Sequence, residues 1–272
     1  MYNRLKSKLI SNRMNIKKST GLKEKGSTIE RVLRVMSFIS EHEGECTQHE
    51  LADAMSLPKL ATGKLINQLK ELGIVSENLN RKIIAGPEFR QLSLSVIRNR
   101  VFSSQRISIL EQLAQEIGET CGISVPNGID MLYLERVQTN WPLQISLPVG
   151  SFVPLTATAS GKLHLANLSD ECRQVILDNI ALDVFTEHTI VDRLKLEQEL
   201  GNIRELGYGR DNSEFIDGMA AVSVPIACDG LLFGYLFCHS PVIRHSLVDL
   251  EAFIPKMQKA ANDIMSVMLK GE

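Results

Sequence analysis

Apolar positions along the chain change period several times, and each change marks an element. From Ser27 or Thr28, either able to cap a helix, Ile29, Val32, Leu33, Met36 and Ile39 recur at helical spacing until Gly44. Thr47 followed by Glu50 has the form of a capping box, and the short helix it opens turns Leu51, Ala54 and Met55 inward. Leu57-Pro58 interrupts that run, because proline suits the start of a helix and disfavours helical backbone before it. A third helix carries a stripe of Leu65, Leu69 and Leu72 and stops at Gly73. Two extended runs, 74–77 and 81–85, flank a polar turn at 78–80, and Gly86-Pro87 closes the segment. Three short helices and then a β-hairpin, in about 60 residues, is the order of a winged helix-turn-helix.

From Phe89 to Gly118 the pattern is helical with a break near 99–104, which predicts a linker helix and then a helix turning Ile107, Leu110, Leu113, Ala114 and Ile117 inward. Beyond Gly118 the period becomes mixed. Residues 121–126 and 130–137 are strand-like and joined around Asn127-Gly128, a hairpin signal, and 144–147 is a further short strand. Helices are predicted over 157–167, 169–179 and 191–205, the last ended by Gly207. Strands follow over 208–211, 219–228 and 231–239, the last two meeting at Asp229-Gly230. A final helix over 246–269 buries Leu250, Phe253, Met257, Ala260 and Ile264. Strands before and after a helical block predict an α+β domain with an antiparallel sheet. The expected division is a basic disordered arm over 1–26, a winged helix-turn-helix domain over 27–88, a linker helix over 89–103 and a second domain over 104–272.

The formal net charge of −2 conceals an asymmetry. Residues 1–100 hold 18 Lys and Arg against 10 Asp and Glu, a balance of +8, and residues 101–272 hold 12 against 22, a balance of −10. The arm alone supplies +7, with eight cations opposed only by Glu24. It reads either as a solvated tail or as a segment that adds phosphate contacts. In the helical segment Lys59, Lys64 and Lys70, with Arg81 and Lys82 on the hairpin, are placed to neutralise phosphates, and Asn67 and Gln68 to reach base edges. No apolar run approaches the roughly 18 residues of a membrane helix, and no basic stretch precedes an apolar one as in a secretory signal. Five scattered cysteines without C-x-x-C spacing predict free thiols in a reducing cytoplasm, with neither a zinc site nor a disulfide framework. G-x-S-x-G, H-E-x-x-H, P-loop and G-x-G-x-x-G motifs are missing, so no catalytic residue, metal or cofactor is expected.

The chain resembles the IclR-type bacterial transcriptional regulators from about Ser27 to Met268. The match runs through Thr28-Ile29-Glu30-Arg31-Val32-Leu33, through Leu51-Ala52…Leu57-Pro58-Lys59…Leu65-Ile66…Leu69…Leu72-Gly73, and through Val149-Gly150…Pro154-Leu155…Ala157-Thr158-Ala159-Ser160-Gly161-Lys162. It continues in Glu205…Gly207-Tyr208…Asp211…Glu214…Gly218 and Val224-Pro225-Ile226. The resemblance implies a homodimer or homotetramer on a pseudo-palindromic double-stranded DNA operator. It also implies a GAF-like C-terminal domain that binds a small-molecule effector and so changes operator affinity.

This sequence departs from the family pattern at informative places. After Pro58-Lys59 the family shows Ser-Thr and then His-Arg, and here Leu60, Ala61, Gly63 and Lys64 stand there. Hydroxyls for phosphate are missing, and Gly63 weakens the helix by about 1 kcal/mol relative to Ala. The wing has Ile83 in place of the usual Tyr. In the second domain Ala159, Ser160 and Gly161 are expected to present backbone N–H groups at a helix start, Asp211 to accept from a ligand hydroxyl, Ala221, Ser223 and Phe237 to line an apolar pocket, and His239 to add a titratable donor. These residues favour a carboxylate that also carries hydroxyls, a sugar acid or hydroxy acid. The reading is a cytoplasmic regulator, by expectation a repressor. The alternatives are a small-molecule sensor or interaction protein with degraded DNA reading, and an enzyme built on the second domain.

Overall fold

In the computed structural model the described residues are 27–41, 45–78, 80–97 and 100–270, so the arm read over 1–26 lies outside them. They form two compact units that divide after Ile97.

The first unit runs α1 (Thr28–Glu41), β1 (Glu45–Cys46), α2 (Gln48–Met55), α3 (Lys59–Glu71), β2 (Val75–Glu77), β3 (Ile83–Ala85) and α4 (Pro87–Ile97). Ser27 and Glu30 cap α1 reciprocally: Ser27 Oγ accepts from the Glu30 N–H at 3.3 Å, and the Ser27 N–H donates to Glu30 Oε2 at 2.8 Å. Thr47 and Glu50 do the same for α2. The three strands form an antiparallel sheet in the order β1-β3-β2. Its core is Val35, Met36, Ile39, Cys46, Leu51, Met55, Leu65, Ile66, Leu69, Val75 and Ile83. The predicted stripe on α1 is rotated, because two overlapping sets of apolar residues fit one helical period there. The set built on Val35 and Met36 packs, and Ile29 and Leu33 are left exposed. Ala52 is buried in place of Ala54, and Leu72, beyond the end of α3, is exposed.

The second unit contains α5 (Arg100–Ile117), β4 (Thr120–Asn127), β5 (Asp130–Val137), β6 (Phe152–Pro154), α6 (Ala159–Asn167), α7 (Asp170–Asn179), α8 (Arg193–Leu206), β7 (Gly209–Asn212), β8 (Met219–Cys228), β9 (Leu231–Pro241), α9 (Leu247–Glu251) and α10 (Ile254–Lys270). Residues 100–103, read as linker, thus lie in the first turn of α5. Six antiparallel strands lie in the order β6-β5-β4-β9-β8-β7. Asp229 and Gly230 both have positive φ, 51° and 79°, the type I′ geometry expected of a tight hairpin.

Helices cover both faces of this sheet. α5 and α10 pack on one, and α6 and α8 on the other, where Met131, Tyr133, Leu163, Leu196, Leu200, Ile203, Tyr235 and Phe237 share a core. On the α5 side Arg106 is completely buried and forks onto Glu135, with Nε 3.0 Å from both carboxylate oxygens. A charge inside an apolar helix pattern gives no sequence sign of its partner.

Two predicted elements differ. Residues 144–147 are irregular, and the edge strand is Phe152–Pro154, paired with Asp130–Leu132. Its proline is tolerated because an edge strand leaves one side of its backbone unpaired. The single helix over 246–269 is two, since Pro255 lacks the N–H that would continue α9 and sits in the first turn of α10.

Candidate nucleic-acid interface and effector site

The third helix presents one continuous polar face. Thr62, Leu65, Ile66 and Leu69 are buried, so Leu60, Gly63, Lys64, Asn67, Gln68 and Glu71 line the outer side at spacings of three, four and seven. Lys59 is exposed at the first residue and Ala61 is half-buried. Pro58 caps the helix without a side-chain hydrogen bond, so the missing family hydroxyls are not replaced. Beside Gly63 lies the exposed carboxamide of Gln48, whose Nε2 donates to the Lys59 carbonyl at 3.3 Å; a Cβ on Gly63 would come 3.0 Å from that nitrogen. Gln48 thereby puts an amide where α3 has no side chain, and only the helix packing reveals it.

On the wing, Asn78 Oδ1 accepts from the Asn80 and Lys82 N–H groups at 3.0 and 2.9 Å, which holds Arg81 exposed at φ 59°. Two predicted phosphate ligands are engaged within the unit. Lys70 pairs with Glu77, and Lys82 with Glu45, whose other oxygen accepts from Asn78 Nδ2 at 2.7 Å. Among the described residues, Lys59, Lys64 and Arg81 have no such ion pair. The reason is tertiary: Glu77 and Glu45 lie on strands that the wing brings alongside the lysines.

In the second unit the strand registers collect the predicted effector residues. Asp211, Ala221 and His239 lie side by side across β7, β8 and β9, and Gly209, Ser223, Phe237, Gly122 and Arg136 form the adjacent row. Both rows face α6. The start of α6 rests on β7 at Gly209, where a Cβ would collide with the Ala159 carbonyl oxygen. Ala159, Ser160 and Gly161 therefore lie over the same face as Asp211.

Three expected roles change. The Gly161 N–H is taken by the helix's own cap, Thr158 Oγ1, at 3.2 Å, so it does not offer itself to an anion. Ser223 Oγ donates to the Leu236 carbonyl at 3.1 Å and serves the sheet. His239 is not titratable near neutrality: burial, assisted by the charge of Arg136, holds its pKa at about 3, so its ring is neutral. It lies parallel to Phe237 at 5.9 Å between centroids, and Phe237 stacks on Tyr133 at 4.4 Å.

Polar atoms without protein partners among the described residues converge on this face. Asp211 is wholly buried; Oδ1 accepts from the Glu214 N–H at 2.7 Å, and Oδ2 has no partner. His239 Nε2 and Arg136 Nε are likewise buried and unpartnered. The Arg136 guanidinium is steadied by Gln138 and by the Ile145 carbonyl in the loop after β5. Burial, against the pull of Lys162, raises the Asp211 pKa to about 7. Lys162, completely buried, pairs with Glu214 and lies 3.8 Å from Glu199, which Arg210 grips through two nitrogens at 2.9 and 3.0 Å.

Sequence reasoning missed Arg136 and Tyr133, and the reason is a β-bulge. The register shifts between Ile123 and Ser124, so Tyr133 and Arg136, three apart, face the same side. Strict alternation puts them on opposite faces.

Residues 95–265 match the family model for the bacterial transcriptional regulator IclR C-terminal domain, and residues 28–78 match that of the IclR helix-turn-helix domain. The chain is similar to the probable transcriptional regulator SauR of Cupriavidus necator, 34% identical over 242 residues that cover 86% of this chain and 94% of that one. It is 28% identical to the transcriptional repressor IclR of Escherichia coli over 203 residues, 73% of this chain and 74% of the relative. A solved structure of an IclR homolog from Microbacterium hydrocarbonoxydans, complexed with 4-hydroxybenzoate, shares the fold with a TM-score of 0.56 at 20% identity, covering 90% of this chain and 100% of that one. Both units, the helix-turn-helix and the α+β domain, are thus accounted for, and the chain belongs to the IclR family of DNA-binding bacterial transcriptional regulators.

Proposed function

We propose that the protein is a cytoplasmic, homo-oligomeric repressor whose operator affinity is changed by a small carboxylate bearing hydroxyls, a sugar acid or hydroxy acid, held on the inner face of the second unit. One observation carries the reading: Asp211 Oδ2, Arg136 Nε and His239 Nε2 are buried without protein partners on one face. Unpaired buried polar groups of this kind cost about 1–3 kcal/mol each, so a ligand that satisfies them is strongly favoured. The guanidinium of Arg136 suits a carboxylate, and Asp211 suits a hydroxyl. Ala221, Phe237 and Tyr133 supply the apolar wall. The homolog with bound 4-hydroxybenzoate and the E. coli repressor support the carboxylate and the sign of regulation by similarity.

Thermal shifts with a panel of sugar acids and hydroxy acids test it. The wild type is expected to rise with at least one acid, Arg136→Gln to lose the rise, and His239→Ala to reduce it. Equal shifts in all three proteins would remove both residues from the site. The second reading, a sensor that no longer reads DNA specifically, is favoured by the balance of residues 27–88, seven Lys and Arg against nine Asp and Glu. Competition between the protein's own upstream region and random DNA separates the two, because a specific reader prefers its site by about 10³-fold or more.

A further inference from the structure

We infer that Leu60 is a base-reading residue that recognises the methyl group of a thymine in each half-site of the bound DNA. The inference rests on α3 being the helix that enters the major groove. Leu60 is the second residue of α3 and is 76% exposed. It stands on the same stripe as Gly63, Lys64 and Asn67, with Lys59 exposed beside it.

An isolated exposed leucine is ordinary on a protein surface, but this one sits among groups that match DNA. Ammonium groups suit phosphates, and the carboxamides of Asn67, Gln68 and Gln48 suit adenine. The major groove offers a leucine one apolar partner, the thymine C5-methyl, on the A·T pairs whose adenine a carboxamide reads. Gly63, one turn beyond Leu60, adds no side chain of its own to hold α3 off the base edges. Leu60 and Asn67 are seven residues apart, two turns and about 10 Å along the helix, so they are placed to reach different base pairs. The inference therefore predicts, in each half-site, a thymine read by Leu60 that belongs to a different base pair from the adenine read by Asn67.

The experiment uses the full-length protein. Double-stranded DNA is selected from a random library, and each thymine of the enriched site is replaced in turn by deoxyuridine, which lacks only the methyl group. Affinity is expected to fall about fourfold at one thymine per half-site, the loss of one buried methyl. Leu60→Ser is expected to be insensitive to that replacement while keeping the wild-type melting temperature and salt slope. If uracil is tolerated at every position although a sequence is enriched, Leu60 does not read a methyl, and α3 still stands as the DNA helix. If no sequence is enriched, or if Leu60→Ser changes the oligomeric mass instead of DNA affinity, Leu60 serves another contact and the inference falls with the reading of α3.

Discussion

Replacing Asp211 by Asn should alter how the stability of the protein depends on pH. The wild-type carboxyl is wholly buried, and its pKa rises from 3.8 to about 7 because desolvation outweighs the attraction of Lys162. A carboxyl with a raised folded-state pKa binds its proton more tightly in the folded protein than in the unfolded chain. Stability from this group is therefore greatest at acid pH and falls as pH rises through the interval from about 4 to about 7. At about 1.4 kcal/mol for each pH unit between the two values, the full loss is roughly 4 kcal/mol. Between pH 5 and pH 8 the wild type should lose about 3 kcal/mol of it.

Asn keeps the acceptor that receives the Glu214 N–H and has no charge to desolvate. Its stability should lack this component at every pH. Glu214, also pushed up by burial, remains in both proteins, so the difference between them reports Asp211 together with its repulsion of Glu214. Urea denaturation of the two proteins at pH 5, 6, 7 and 8 makes the comparison. The variant should be the more stable at pH 8, with the gap closing towards pH 5. Parallel curves across the series would show that Asp211 ionises in the folded protein as it does in the unfolded chain, and would refute the electrostatic account of this face.

Arg106→Met should destabilise the second unit by about 3–5 kcal/mol, since it leaves Glu135 charged and buried without its partner, and adding Glu135→Leu should recover most of that loss in denaturant unfolding. Gly63→Ala should stabilise the first unit by up to about 1 kcal/mol in thermal melting, because the Cβ meets only the flexible end of Gln48, and a large loss would mean that the Gln48 bond to Lys59 is structurally required. Lys64→Ala should lower the salt slope of DNA binding by about one, and Lys82→Ala should change it less because Lys82 is paired with Glu45. Deleting residues 1–26, which carry +7, should flatten the salt slope while leaving sequence preference intact, and an unchanged slope would mean that the segment does not touch DNA.

Element types and order were legible because the period of apolar residues and the caps agree. Thr47 with Glu50, and Asp229 with Gly230, are local signals that the fold uses as such. What was illegible depends on contacts far apart in sequence. The choice between Val35 and Leu33 on α1 is made by what packs there, and both satisfy the helical period. Lys70 and Lys82 carry the charge expected of phosphate ligands, but Glu77 and Glu45 reach them only after the wing has folded. A bulge in the pairing of β4 with β5 brings Tyr133 and Arg136 onto one face, and a bulge has no signature in an alternating pattern.

An exposed leucine such as Leu60 is ordinary and costs the folded state nothing relative to the unfolded chain, whereas Asp211, His239 and Arg136 keep buried polar atoms without partners. Leu60 lies on the outer face of α3, and the unpartnered polar atoms lie on the inner face of the second unit. The second set is a local loss of stability that the rest of its unit must offset, through the core around Phe237. A bound molecule that removes such a loss gains affinity from the same term. A hydroxylated carboxylate would do so at Asp211 and Arg136. That case couples directly to pH: a ligand hydroxyl donating to Asp211 favours the ionised carboxylate, so binding should lower the Asp211 pKa from about 7 and release protons near neutrality. Calorimetry in buffers of different ionisation enthalpy would detect that release, and a heat of binding independent of buffer would place the hydroxyl elsewhere.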